Sequence, residues 1–497
     1  MAGADSAGVA GPLPLRSEVW RRAGADPEGR LDAFLAEPSP ARALADWFGS
    51  ERVAEPGVHR RAALDRDIAA LDAAIAEIVD RILHHEAFQR LEALWRGVYW
   101  LTGLARGEAK LRIKLLNVSW QTLVRDMERA ADFERSALFT LLYHREFGMP
   151  GGEPFGLLVG DYAIRHAPRP GGVDDVAALR ELAKIGASAF CPMVFNVDPV
   201  VFGVDTMAEL GRRENLSATF QQTEYTRLRS FQNGEESRYV GLVAGRLLIR
   251  TPREGRAAGD LGWLYQERAD RGAHLLWAPG AFAVAYTALR AYEDYRWVAA
   301  IRGAPEDEIA GGVLDGLPVA DFATDRPGAA VRFGVEANLS ERQEAALNGL
   351  GFMVLRPCPY TPYLALFAAP SLQKPRTYRD PAVTLNAKMS AMLQYMLCVC
   401  RFAHYVKVIV RDWVGAYKTA QDMEMRLQRW IETYCLADDE ASYEERARYP
   451  LRTALVEVGE VDGAPGKFNC VMFFQPHFQF DNMVTEFQLR TEFMEAA

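Results

Sequence analysis

A regular stripe of large aliphatic residues near the start of the chain constrains its fold more than any other feature. The spacing of the stripe alternates between four and three residues through Leu64, Ile68, Leu71, Ile75, Ile78 and Ile82. This spacing places all six side chains on one face of a helix. A broader apolar stripe follows, made of Phe88, Leu91, Leu94, Trp95 and Val98. We therefore expect one long helix that continues to about Trp100 and packs against a sheet or another helix.

Short strand-like runs and helical runs alternate in the middle of the chain. Residues 111–118 alternate apolar and polar side chains, as a half-buried strand does. The runs that follow are a helix at 120–143, a strand at 155–159, a helix at 176–189 and a strand at 191–195. This order predicts a three-layer α/β core.

The second half of the chain ends in β-structure. Before that end, the pattern indicates a strand at 242–249, a buried helix at 277–297 and helices at 387–414 and 418–434. A strand is expected at 468–474, stopped by Pro476, and a second at 484–493 with Phe487, Leu489 and Phe493 on one face. A terminal strand exposes its backbone groups unless another strand pairs with it.

Five regions are expected along the chain. Residues 1–60 form a flexible tail and weak N-terminal helices, because residues 1–14 are mostly Ala, Gly and Pro. The others are the long amphipathic helix at 61–110, the α/β core at 111–304, a variable Gly-, Asp- and Pro-rich connection at 305–334, and a C-terminal lobe of helices and terminal strands at 335–497.

Composition excludes several classes of protein. With 497 residues, of which 49% are hydrophobic, the chain can bury a large core. Its net charge of −9 argues against nucleic acid as a partner, since phosphate binding normally requires a basic surface. We find neither a signal peptide nor an apolar run approaching the length of a membrane span, so we expect a cytoplasmic protein without membrane insertion.

No motif for catalysis, cofactor binding or metal binding is found. The sequence lacks GxGxxG after a strand, GxSxG and HExxH, and residues 463–468 lack the spacing of a phosphate loop. His84 and His85 are neighbours on the predicted long helix, where side chains point about 100° apart. Cys398 and Cys400 would lie on opposite sides of a helix. We therefore expect no catalytic, cofactor-binding or metal-binding residues, and no cofactor.

The remaining polar and thiol groups have structural explanations. His404 lies among aromatic residues and is expected to be a hydrogen-bonded core or interface residue. Glu235 and Glu236 are expected to be solvated or paired with Arg238. The six cysteines have no zinc-finger spacing and are expected to be small buried side chains: Cys191, Cys358, Cys398, Cys400, Cys435 and Cys470.

Ordered strings along most of the chain resemble one family. They occupy residues 88–97, 115–119, 151–162, 237–242, 250–253, 373–375, 393–397, 401–407 and 448–451, with Phe231 before the fourth. These strings are similar to the large sheath subunit of bacterial type VI secretion, the TssC or VipB family. The sequence departs from the family in its first 60 residues, where the helix that the family presents to a recycling unfoldase is only weakly echoed at 15–23. Residues 305–325 also differ from the family's sequence.

The resemblance implies a contractile-sheath fold of the α/β class and a structural function. Long N-terminal helices precede a mixed α/β core, and C-terminal strands pair with neighbouring protomers. The implied partners are the small sheath subunit (TssB/VipA family), other copies of the chain in a helical sheath, an inner tube, a baseplate and, as a further candidate, a recycling AAA+ unfoldase. The residues expected in the inter-protomer strands are Phe468, Cys470, Met472, Phe474, Phe487, Leu489 and Phe493.

Two alternatives remain open from the sequence. The chain could be the sheath protein of a phage-like contractile particle, although such sheaths commonly use one sheath protein. It could also be an α/β enzyme whose site is assembled from distant residues. Co-expression with a small subunit separates the three hypotheses: a type VI sheath subunit should give hollow tubes made of both components, and an enzyme should give none.

Overall fold

The computed structural model describes most of the chain. The described residues are 34–48, 56–105, 111–169, 173–213, 216–253, 265–269, 274–305, 308–321, 332–358, 361–413, 419–438, 440–460, 467–477 and 487–494. The expected mobile tail at 1–14 and the weak helix at 15–23 lie outside this part of the chain.

The helices follow in chain order, apart from the π-helix Thr140–Phe147 and shorter helical turns, which carry no label. They are α1 (Pro40–Phe48), α2 (Gly57–Leu83), α3 (Glu86–Leu104), α4 (Trp120–Arg129), α5 (Asp175–Ala189), α6 (Thr226–Gln232), α7 (Ala281–Tyr295), α8 (Glu341–Gly349), α9 (Pro381–Ser390), α10 (Leu393–Trp413), α11 (Ala420–Glu432) and α12 (Tyr443–Arg448).

The strands are mostly short until the C-terminal end. They are β1 (Leu158–Ile164), β2 (Met193–Val197), β3 (Val240–Ala244), β4 (Arg246–Arg250), β5 (Leu276–Pro279), β6 (Val313–Leu314), β7 (Ala320–Asp321), β8 (Arg332–Phe333), β9 (Phe352–Val354), β10 (Arg356–Pro357), β11 (Leu364–Ala365), β12 (Leu451–Glu460), β13 (Lys467–Pro476) and β14 (Phe487–Met494).

The chain divides into two compact units. One comprises residues 1–89 and 252–275, and the other comprises residues 90–251 and 276–497. The five-part division made from the sequence stays a prediction.

The expected single helix from Leu64 to Trp100 is wrong. The structure has α2 and α3 instead, with His84 at the C-terminal cap of α2. The ring of His84 stacks on His274 with 4.3 Å between centroids, and its Nε2 lies 3.2 Å from Glu267 Oε1. Because α2 ends at Leu83 and α3 begins at Glu86, His84 and His85 do not lie on a continuous helix.

The second unit is built on a parallel sheet with strand order β1-β2-β3-β9. Helices cover both of its faces. Along β2, Met193 and Phe195 join the core cluster that contains α5, whereas Val194 between them joins the cluster that contains α7. This alternation is what a strand between two helical layers requires. The expected three-layer α/β core is confirmed.

Two expected elements in this unit are wrong, for local reasons. Residues 111–118 belong to no helix and join no described sheet, and Lys114 pairs with Glu146 at 2.6 Å. The expected helix at 120–143 ends at Arg129, and α-helical structure resumes at Ala137, whose backbone N–H donates to the carboxylate of Asp126 at 2.8 Å.

Other boundaries shift where glycine or loop chemistry intervenes. The expected strand at 242–249 is divided into β3 and β4 by Gly245, whose φ of 97° is readily adopted only by glycine. The expected helix at 277–297 begins as β5 and becomes helical only at Ala281. The expected helix at 387–414 is interrupted between α9 and α10.

The C-terminal lobe packs α10 and α11 on an antiparallel sheet with order β12-β13-β14. β12 was not expected from the sequence, whereas β13 and β14 confirm the two expected terminal strands. One described segment, Leu393–Arg411, has the length and hydropathy of a membrane span, contrary to the expectation that no run approaches that length. It is 72% buried inside the protein, as a core helix is.

Candidate functional site: the C-terminal strands

The seven predicted interface residues occupy one face of the C-terminal sheet. In the antiparallel register, Phe468 lies opposite Phe493, Met472 opposite Leu489, and Phe474 opposite Phe487. Cys470 lies opposite Thr491 on the same face. The structure therefore brings the two predicted strands together within one chain, with the chosen positions facing each other.

The face formed by β13 is part of a buried core. Cys470, Met472 and Phe474 have no solvent-exposed surface, and Phe468 is half-buried. The ring of Phe474 stacks on Phe402 of α10 with 5.2 Å between centroids and 26° between planes. Burial raises the pKa of the Cys470 thiol to about 12, so the thiol stays protonated at neutral pH. These side chains are held by the chain itself.

The aromatic cluster beneath the sheet explains why α10 lies there. Phe402 also stacks on Trp297 with 4.2 Å between centroids, and it makes edge contacts with Trp430 and Tyr434. Aromatic pairs of this geometry add to the stabilisation from apolar burial. Together they fix the helical layer against the sheet.

The strand β13 has neighbours on both sides, so its backbone groups are already paired. β12 runs along one side from Leu451 to Glu460, and β14 runs along the other from Phe487 to Met494. A strand from another protomer could join β13 only by replacing β12 or β14. Whether the predicted residues make contacts between protomers stays a prediction.

An exposed apolar stripe on α3 was missed by the sequence analysis. Leu91, Trp95 and Tyr99 are 54%, 57% and 68% exposed, whereas Gly97 and Leu101 on the other side of the helix are buried. Leu91 and Trp95 were expected to pack inside the protein. Spacing alone identifies an amphipathic face but not whether the same chain covers it. Large exposed apolar surfaces are typical of proteins that contact other proteins.

The polar groups singled out from the sequence have structural positions. His404 is buried, and its Nε2 lies 3.0 Å from the carbonyl oxygen of Ala189. Burial lowers its pKa to about 4, so the imidazole is neutral at physiological pH. Arg238 forms an ion pair with Glu235. Both expectations are confirmed.

In the part of the chain that the structure describes, few side chains are grouped as in a catalytic or metal site. It contains no group of three or more His, Cys, Asp or Glu side chains that could hold a metal ion. A shallow surface pocket is lined by His166, which stacks on Tyr225, and by Glu224. Burial lowers the pKa of His166.

The cysteines behave largely as expected. All six are free thiols. Cys191, Cys398, Cys400 and Cys470 are buried, whereas Cys358 and Cys435 are partly exposed.

Comparison with known proteins identifies similar sequences along both halves of the chain. A family described as EvpB/VC_A0108, tail sheath N-terminal domain, matches residues 65–373. A second, described as EvpB/VC_A0108, tail sheath gpW/gp25-like domain, matches residues 382–493. The chain is 37% identical over 427 residues to the type VI secretion system sheath protein TssC1 of Pseudomonas aeruginosa, covering 85% of this chain and 84% of that protein.

Proposed function

The chain belongs to the EvpB/VC_A0108 tail-sheath family, and on this premise we propose how it acts as the structural large subunit of a type VI secretion contractile sheath. It pairs with a small sheath subunit and polymerises helically around an inner tube, and contraction of the polymer propels the tube. The observation that carries the proposal is that the similarity to sheath proteins extends over both family domains.

The proposal extends to partners and location. The assembled sheath contacts the inner tube and the baseplate, and a recycling AAA+ unfoldase acts on it after contraction. The protein works in the cytoplasm and catalyses no reaction. The extended sheath is metastable, and its contraction releases free energy through better-packed contacts, so nucleotide hydrolysis at this subunit is not needed.

Strand exchange is the proposed link between protomers. Head-to-tail contacts that do not close generate open filaments, and backbone pairing between strands tolerates rigid-body shifts of the subunits. The pairing of β13 with β14 of the same chain supports this step. A β14 strand that fits beside β13 of its own chain also fits beside the identical β13 of a neighbouring protomer. The residues proposed for the shared strands are Phe468, Cys470, Met472, Phe474, Phe487, Leu489 and Phe493.

Truncation tests the proposal. Co-expression of the full chain with the small subunit should give hollow two-component tubes in negative-stain images. Removal of residues 484–497 should leave a soluble heterodimer but no tubes, because β14 is lost. Removal of residues 495–497 alone is the control and should leave tubes, because β14 ends at Met494. Abundant normal tubes from the longer truncation would refute strand exchange.

A further inference from the structure

The outer edge of β12 is closed by side chains of α11. Gln428 Oε1 accepts a hydrogen bond from the backbone N–H of Val456 at 2.9 Å, and Gln428 Nε2 donates to the carbonyl oxygen of Ala454 at 3.0 Å. One turn earlier on the helix, Glu424 Oε2 accepts from the backbone N–H of Val458 at 2.9 Å. Three backbone groups that face away from β13 therefore have partners.

The Gln428 amide pairs with β12 as a peptide group of another strand would. In a parallel ladder, one residue donates to the carbonyl of residue i−1 and accepts from the N–H of residue i+1. Here the side-chain amide makes both bonds around Leu455, from Ala454 to Val456. Since the edge groups are occupied, an incoming strand would have to break these bonds before it could add.

The amide is held in one orientation. Its second N–H donates to Glu432 Oε1 at 2.9 Å, so the nitrogen faces two acceptors and the oxygen faces a donor. The helix is fixed in place by buried side chains at a spacing of four residues, Met423, Leu427 and Ile431. Its start is secured by a capping box between Thr419 and Asp422.

We propose that Gln428 and Glu424 act as a substitute strand that closes the β12 edge, so that strands of other protomers join the sheet only on the β14 side. On that side, the described residues show no backbone hydrogen bond from β14 except to β13. Open sheet edges promote unwanted pairing, and natural proteins commonly cover them. The inference rests on the proposed function, because a sheet that strands of other protomers join on one side exists only in an assembled sheath.

The test uses the full chain with an N-terminal solubility tag and without the small subunit. In the variant Glu424→Ala/Gln428→Ala, the backbone groups of β12 become available, and we expect larger species than wild type in size-exclusion chromatography with light scattering. The amide hydrogens of Val456 and Val458 should exchange about tenfold faster, since each loses a hydrogen bond. Gln421→Ala is the matched control, because Gln421 is an exposed glutamine of the same helix.

A third substitution separates edge pairing from general unfolding. Val458→Pro removes an N–H that points toward Glu424 and leaves the ladder with β13, so adding it to the double variant should reverse the self-association. If circular dichroism shows that the double variant is unfolded, Glu424→Ala alone replaces it, because it frees the N–H of Val458 and keeps both Gln428 bonds to β12. A variant that stays the size of wild type, or self-association that Val458→Pro does not reverse, would overturn the proposal. Loss of tubes on co-expression of wild-type protein would count against the proposed function instead.

Discussion

Truncation of Phe474 to alanine distinguishes a side chain that stabilises its own chain from one that is used only between protomers. Phe474 is fully buried and stacks on Phe402 within the same chain. Replacing a buried phenylalanine by alanine costs about 3–5 kcal/mol, from lost apolar burial and from the cavity that remains. At about 1.4 kcal/mol for each factor of ten, the opening equilibrium of the C-terminal lobe should rise by about two to nearly four powers of ten.

Amide hydrogen exchange of the unassembled chain measures this effect. The amides of β12 and β13 report the local opening free energy, whatever happens in the other unit. Phe473→Ala is the matched control, because Phe473 is the neighbouring residue on the opposite face and is half-buried. Its exchange rates should rise by no more than about tenfold, which corresponds to roughly 1.4 kcal/mol. Equal exchange rates in Phe474→Ala and wild type would refute the reasoning and indicate a side chain that acts only after assembly.

Two further predictions concern the second unit. His404 has a folded pKa of about 4 against 6.5 for an ordinary histidine, so the unfolded state binds more protons between these values, and stability should fall as pH drops from 6.5 to 4 by up to about 1.4 kcal/mol per pH unit. The substitution His404→Gln should remove that part of the pH dependence in urea unfolding, and an unchanged dependence would contradict it. A Cβ on Gly97 would overlap the ring of Phe282, so Gly97→Ala should destabilise the chain by about 1–3 kcal/mol in thermal unfolding. Gly103→Ala on the same helix meets open space and should not destabilise it, and equal losses in the two variants would contradict the packing argument.

The sequence analysis was most accurate for helices and strands whose apolar periodicity and end signals lie within or next to the element itself. Helix α5 was expected at 176–189 and spans Asp175–Ala189, where Asp174 accepts hydrogen bonds from the backbone of the first turn. Strand β13 was expected at 468–474 and spans Lys467–Pro476. In both, apolar periodicity agrees with a clear local stop or start signal.

The missed elements depend on partners that the sequence does not display. Residues 111–118 have the alternation of a strand, but a strand exists only where another strand pairs with it. In β12, Leu455 is exposed while Val456 is buried and Ala454 is partly buried, so apolar residues on both faces hide the alternation. The single helix expected through His84 is divided at a residue whose side chain contacts Glu267 and His274, far along the chain.

The C-terminal strands of the candidate site show the same limit of prediction from sequence. Apolar alternation identified Phe487 and Leu489 as positions on one face, and in the register they lie opposite Phe474 and Met472 of the other predicted strand. The same alternation serves a strand that packs on its own core and a strand that packs on a neighbour. The burial of Cys470 depends on where α10 lies, which periodicity in the strand does not determine.

The pairing of β14 with β13 of its own chain affects how a strand from another subunit can bind there. Because only residues 477–486 connect β13 to β14, the terminal strand is tethered beside its own binding position. A connection of this length gives an effective concentration on the order of millimolar, whereas free subunits are much more dilute. A single incoming strand therefore loses the competition in solution. If strands are exchanged as proposed, polymerisation should be confined to existing ends, where several contacts form together and outcompete the tethered strand.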